Sequence, residues 1–303
     1  MLEYPLYIFF KIDLGVIKMK RKKLKNKIKA IKMEIKQHKS SFIVYMVLRI
    51  LVILVMILQV LNHNYENVFY CLLTLLMLII PSMLQIEFKI EFPTTLEIIM
   101  LLFIFAAEVL GEIGSYYAKF PYWDTMLHTL NGFLAAAIGF SLVEILNGNK
   151  KGNFKLSPIY MAVVAFCFSM TIGVMWEFFE YSMDLFLGVD MQKDTIVNSI
   201  STIMLDPAGG TKVVRIKDIN EVIINGKELG LGGYLDIGLH DTMHDLFVNF
   251  IGAVVFSIIG FFYVKTRGEG KIAKRFIPKT RKEEYDYLRQ IEEDQKNQKK
   301  VNK

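Results

Sequence analysis

The chain has 303 residues, 53% of them hydrophobic, and a formal net charge of +6; its mean hydropathy is +0.36. That is too apolar for an ordinary soluble domain of this size. The charge gathers at the two ends and leaves the middle nearly bare, which fits a polytopic membrane protein with basic flanks and excludes reading the basic stretches as a nucleic-acid surface.

In chain order, residues 1–41 form a basic segment. Residues 17–40 hold eleven Lys/Arg and one acid, Glu34. Leu24, Ile28, Ile31 and Ile35 recur on one helical face, so this stretch is expected to lie along an anionic inner leaflet; a solvated positive flank is the plainer alternative. Residues 1–18 fit poorly with the basic stretch after them, and Met19 of "MKRKKLKNK" reads as a natural start. The opening "MLEYPLYIFF" has its positive charges after the apolar run, the wrong order for a cleavable signal peptide. Heavy use of Lys and Ile with little Arg suits a bacterial source.

A bilayer core takes ~20 apolar helical residues. Segments at roughly 42–61, 67–84, 96–113, 125–146, 158–180 and 242–264 meet or approach this. The expected fold is therefore all-α and polytopic: a bundle of about six transmembrane helices with a small β-containing extracytoplasmic insertion. Residues 42–95 supply two N-terminal spans, the second interrupted near its end by Pro81. Arg49 can snorkel back to the basic flank. Residues 96–264 supply a four-span core, and 265–303 form a charged tail with thirteen Lys/Arg against seven acids. With Lys150, Lys151 and Lys155 in loop 147–157, the charge bias puts both termini in the cytoplasm of a bacterial inner membrane.

Between the last two spans, 185–240 faces outside. It is long for a plain loop. Its β-branched runs flank Asn225-Gly226, a hairpin-type turn, and "GLGGY" lacks the Lys and Ser/Thr of a phosphate loop. Cys71 and Cys167 sit in apolar runs without metal-ligand spacing.

The polar residues of the core fall in a pattern. Span 3 ends with Glu108 and Glu112, span 4 starts with Asp124 and His128, span 5 ends with Glu177, Glu180 and Asp184, and span 6 starts with His240, Asp241, His244, Asp245 and Asn249. Residues three or four apart share a helix face, so four helices carry polar stripes near one membrane surface. "DTM" opens both span 4 and span 6, and spans 3–4 and 5–6 read as two copies of one hairpin.

Carboxylates and imidazoles in a partly dry setting need partners or a metal. Asp124, His128, Glu180, Asp241, Asp245 and Asn249 are the candidate metal ligands, with a divalent ion of open identity. His128, Glu177, Glu180 and Asp245 are the candidate catalytic groups, as acid, base or metal-assisted centre. Plainer roles stand beside these: Asp124 and Asp241 as helix N-caps, Glu112 and Asp184 in the headgroup zone, His240 as an exposed loop residue, Tyr122 and Trp123 as interfacial anchors, Trp176 as packing, and Gly132 and Gly252 as close helix contacts.

The ordered set Tyr122-Trp-Asp124-x3-His128-x3-Gly132, Trp176-Glu177-x2-Glu180, Gly188-Val-Asp190-Met191-Gln192 and Asp241-x3-Asp245-x3-Asn249-x2-Gly252-Ala253 resembles the YjdF-like family of bacterial inner-membrane proteins. The resemblance covers about 121–255 and leaves the N-terminal spans and tails outside. A looser similarity extends to VanZ-like proteins, which are linked to envelope biology. The resemblance implies a bacterial membrane protein, supports Asp124, His128, Glu177, Glu180, Asp241, Asp245 and Asn249 as motif positions, and implies no reaction.

Three functions remain open. One is a membrane-embedded, metal-dependent enzyme acting on a lipid-linked or envelope substrate. The second is a structural or accessory membrane protein whose polar residues only pair and cap. The third is a proton- or cation-coupled transporter, disfavoured because the polar stripes stop before the inner side. The oligomeric state is left open.

Overall fold

Apolar length decides the architecture. The computed structural model describes residues 4–36, 39–148, 156–266, 273–281 and 285–301. Helix α1 (Tyr4–Ile35) leads into α2 (Lys39–Leu61), then α3 (Tyr65–Met77) and α4 (Ile80–Glu87). The break between α3 and α4 falls where Pro81 enters at the second position of α4, a place that tolerates its missing N–H. Asn64 caps α3, its side chain accepting from the Asn67 N–H at 3.2 Å.

Strand β1 (Ile90–Glu91) precedes α5 (Thr94–Phe105), which runs directly into a π-helical stretch, Ala106–Ile113. A short helix α6 (Tyr116–Lys119) follows, then α7 (Trp123–Gly148) and α8 (Pro158–Leu187). The insertion holds β2 (Thr195–Val197), β3 (Ile200–Thr202), β4 (Val214–Ile216), β5 (Ile223–Ile224), β6 (Lys227–Glu228) and β7 (Tyr234–Asp236) before α9 (Leu239–Lys265). A 3-10 turn (Ala273–Arg275), β8 (Lys279–Thr280) and α10 (Tyr287–Val301) close the chain.

Among the described residues, five stretches are long and apolar enough to cross a membrane: Lys39–Leu61, Tyr65–Glu87, Trp123–Asn147, Pro158–Leu187 and Leu239–Lys265. The third expected span differs. Its α-helical part stops at Phe105, and the π-helical turn carries it on past Glu108 and Gly111. Tyr117 of α6 folds back onto this turn so closely that a Cβ on Gly111 would collide with the ring.

Helices α7, α8 and α9 pack on one another as a triangle. Their common interior contains Ala136, Ala137, Phe140, Met161, Ala165 and Phe256. The small residues let the helices approach, and Phe140 and Phe256 meet edge to face. Helices α2, α3 and α5 with its π-turn form a second group, joined around Tyr45, Leu48, Leu78, Leu101 and Ile104. The two expected hairpin copies therefore differ in packing: α8 and α9 lie against each other, whereas α5 packs mainly on α2. Arg49 is held within its own helix, donating to the Tyr45 hydroxyl at 2.5 Å.

The ends meet at the other side of the bundle. Strands β1 and β8 pair antiparallel, and Ile277 is inserted into the α7–α9 core. Arg281 Nη2 lies 2.5 Å from Glu34 Oε1, both side chains almost fully buried. Ala30, Ile86 and Ile291 join α1, α4 and α10. Of the apolar face expected on α1, Leu24 and Ile28 are exposed, while Ile31 and Ile35 pack inside the protein. Lys150, Lys151 and Lys155 of loop 147–157 lie outside the described residues.

All described sheets are small antiparallel pairs: β1–β8, β2–β7, β3–β4 and β5–β6. The Asn225-Gly226 turn joins β5 to β6 with φ of 52° and 80°, the left-handed pair that a two-residue hairpin needs.

Candidate functional site

Helices α7 and α9 cross in direct backbone contact. A Cβ on Gly132 would strike the Asn249 carbonyl, and one on Gly252 would strike the Thr129 carbonyl. Ser169 of α8 donates to the Gly132 carbonyl at 2.7 Å. Gly173 of α8 faces the Asn249 side chain, where an added Cβ would lie 2.7 Å from Nδ2. These contacts hold the three helices in register, and one turn beyond the crossing they bring the polar residues together.

His128 is the centre. Its Nε2 lies 3.4 Å from Asp124 Oδ1 and 3.7 Å from Asp245 Oδ2, and its Nδ1 lies 3.7 Å from Glu177 Oε1. The imidazole thus separates two sets of carboxylates. Asp124, His128 and Asp245 each offer a donor atom within 4.8 Å of the others, and so do His128, Glu177 and Glu180. Asp245, Glu177, Glu180 and His128 are buried, whereas the Asp124 side chain keeps 25% of its surface open. Neither Glu177 oxygen accepts a hydrogen bond of ordinary geometry among the described residues. Glu180 accepts from the Trp176 indole at 2.9 Å, so Trp176 orients a site carboxylate as well as packing on Phe179.

Two ligand candidates stand aside from these groups. Asn249 sits a turn deeper, accepting from Asn131 Nδ2 at 3.1 Å and lying 3.7 Å from the Met170 sulfur. Asp241 sits a turn outward and accepts from the Lys193 backbone N–H at 2.8 Å. Neither Asp124 nor Asp241 is an N-cap: both lie in the first turn, where the helix dipole favours a carboxylate. Gly238, at φ 91°, precedes α9, and Asp236 binds the His240 N–H at 2.8 Å. His240 is exposed, as expected. Glu108 is buried on the π-helical turn, apart from the donor groups.

A clasp covers the outer side. The Asp184 carboxylate accepts from the N–H groups of Met191 at 2.6 Å and Gln192 at 2.8 Å. The Gln192 amide donates to the Thr242 hydroxyl. The Lys193 ammonium lies 3.6 Å from Glu112 and 5.8 Å from the centre of the Tyr117 ring. Asp184 and Glu112 are therefore structural partners of this loop. Helical periodicity cannot point to Gln192 and Lys193, which lie in the loop after α8; the sequence signals were Gln192 in the Gly188–Gln192 motif and Thr242 in the repeated DTM. Trp123 packs edge-on against Tyr116, while Tyr122 is exposed.

The donor set suits a metal. Ligand atoms on an ion with bonds of ~2.1 Å are ~3.4 Å apart in tetrahedral geometry. The separations around His128 Nε2 match that spacing and exceed an ordinary hydrogen bond. One imidazole among several carboxylates fits Zn, Mn or Fe, and carboxylates alone extend the set toward Mg.

No curated protein and no solved structure matches the chain. A family model described as "Predicted membrane protein (DUF2238)" matches residues 44–266. The match takes in both N-terminal spans, so the family reaches well beyond the 121–255 that the motifs cover. By that match the chain belongs to the DUF2238 family of predicted membrane proteins, the family of the YjdF-like proteins.

Proposed function

We propose that the protein is a multi-pass bacterial inner-membrane protein that binds a divalent metal ion between α7 and α9 and uses it on a lipid-linked or envelope substrate at the outer leaflet. In this reading Thr94–Ile113 is a sixth crossing, both termini are cytoplasmic, and the 185–240 insertion is extracytoplasmic.

The observation that carries the proposal is the spacing around His128. Two like charges 4 Å apart repel by ~4 kcal/mol at an effective dielectric of ~20. The buried carboxylates on both sides of His128 therefore need a cation or protons. The His128 nitrogens stand 3.4 to 3.7 Å from the three carboxylates, longer than ordinary hydrogen bonds, a spacing that a shared ion would fill. A metal on the Nε2 side would be held by Asp124, His128 and Asp245. Glu177, on the Nδ1 side, would fix the ring's tautomer and raise its basicity, the usual outer partner of a metal-bound histidine. The exposed edge of Asp124 leaves a direction from which water or substrate reaches the ion, as catalytic sites require. When bound, the metal would polarise a substrate oxygen or acidify water, and Glu180 or Glu177 would move the proton.

A closed, purely structural site is the second reading, favoured by the complete Asp184–Gln192–Thr242 clasp. A transporter is disfavoured by the apolar filling of Phe140, Phe256 and Ala136 beneath Asn249. Water-proton relaxation on protein loaded with Mn²⁺ separates the first two. Fast-exchanging water on the ion supports the enzymatic site; an ion without exchangeable water makes the site structural and overturns the enzymatic reading.

A further inference from the structure

The β3–β4 hairpin has two chemically distinct parts. In the strands, side chains alternate between faces. Ser201 stands opposite Arg215, whose Nε donates to the Ser201 hydroxyl at 3.0 Å. Ser199 and Lys217 share that face by the same alternation. With Asn198 and Asp218 they line an open cleft of about 510 Å³.

The tip is the opposite in character. Ile203, Met204, Leu205 and Val213 are exposed, Met204 to 86%. Four large apolar side chains presented together at a loop tip are costly in water. Asp206 folds the tip by accepting from the N–H groups of Ala208, Gly210 and Lys212, each at 3.1 Å. Its charge is thus taken up locally, while Lys212, Arg215 and Lys217 remain exposed around the apolar end. Asp218 is the remaining acid of this region.

Two features identify what covers the tip. The cations complement phosphodiesters, and an apolar point ringed by Lys and Arg matches the boundary between headgroups and acyl chains. The insertion that carries the hairpin also springs from apolar ends of two candidate membrane helices. Leu185, Phe186 and Leu187 at the end of α8, and Ile237, Leu239 and Met243 at the start of α9, are all exposed apolar residues where the insertion joins the bundle.

We propose that the β3–β4 hairpin is a membrane-docking finger: Ile203, Met204, Leu205 and Val213 enter the bilayer surface, and Lys212, Arg215 and Lys217 bind the phosphates of anionic lipids. The inference rests on the chain's membrane character and is independent of any metal at His128.

The test uses the full chain in nanodiscs, with a nitroxide on Met204→Cys in a Cys71→Ala, Cys167→Ala background. A second label on Phe178→Cys, exposed on α8, reports the bilayer itself. In discs of mixed phosphatidylcholine and phosphatidylglycerol, the Met204 label is expected to collide with oxygen in preference to a water-soluble nickel complex. Arg215→Gln with Lys217→Gln is expected to shift it toward water. A Met204 label open to the nickel complex in these discs overturns the proposal. So does a label shielded from both relaxers, which means protein contact. If the Phe178 label also proves water-exposed, the membrane reading of α8 fails instead.

Discussion

His128 has three carboxylates within 3.7 Å, and they divide between its two nitrogens. Asp124 and Asp245 share Nε2; Glu177 faces Nδ1. His128→Ala is expected to abolish metal binding, and Glu177→Gln to weaken it by about 10–100-fold, the usual effect of losing a histidine's outer partner. Calorimetric titration of metal-stripped protein with Zn²⁺ or Mn²⁺ checks this; equal affinity in Glu177→Gln and the parent would remove Glu177 from that role. Asp124, His128, Glu177, Glu180 and Asp245 were legible in the sequence because spacing of three or four puts them on common helix faces. Asp184 and Gln192 were visible as a stripe residue and a motif residue, but the hold of Asp184 on the loop N–H groups and the part of Lys193 were not, since a carboxylate that binds loop N–H groups leaves no periodic mark. Even Asp241, picked out by its DTM context, has its oxygen turned to the Lys193 N–H.

At the level of elements, the site depends on a helix crossing and a clasp. Gly252→Ala would push a methyl into the Thr129 carbonyl, which is backbone and cannot swing aside. Overpacking of this kind costs ~1–3 kcal/mol, so the variant is expected to unfold at lower temperature in detergent and to lose metal affinity with it. Asp184→Asn removes the charge that binds two loop N–H groups. Faster hydrogen exchange at Met191 and Gln192, with unchanged exchange in the α7–α9 interior, is the expected result. Apolar length and charge revealed most of the helices, and Asn225-Gly226 revealed the β5–β6 turn. The π-helical course of Ala106–Ile113 was hidden, because its apolar pattern reads as ordinary helix until Tyr117 is seen folded onto Gly111.

Across the whole molecule, the two ends of the chain are tied together far from the site. Burial raises the Glu34 pKa to about 7, and Arg281 beside it offsets only part of that rise. A carboxyl whose folded pKa exceeds its unfolded value stabilises the docked state fully at low pH and loses that contribution as pH rises through the folded value. The β1–β8 attachment is therefore expected to exchange hydrogen faster at pH 8 than at pH 6, after correction for intrinsic exchange, and Glu34→Gln is expected to flatten the difference. The proposed metal site lies at the other end of the bundle, where buried carboxylates surround one imidazole. Elemental analysis of detergent-purified protein, beside His128→Ala and Asp245→Asn variants of matched thermal stability, is its decisive test. Stoichiometric divalent metal in the parent and its loss in both variants is the expected result. Metal-free parent protein after divalent ions are added back, or metal retained in both variants, would contradict a metal held between α7 and α9.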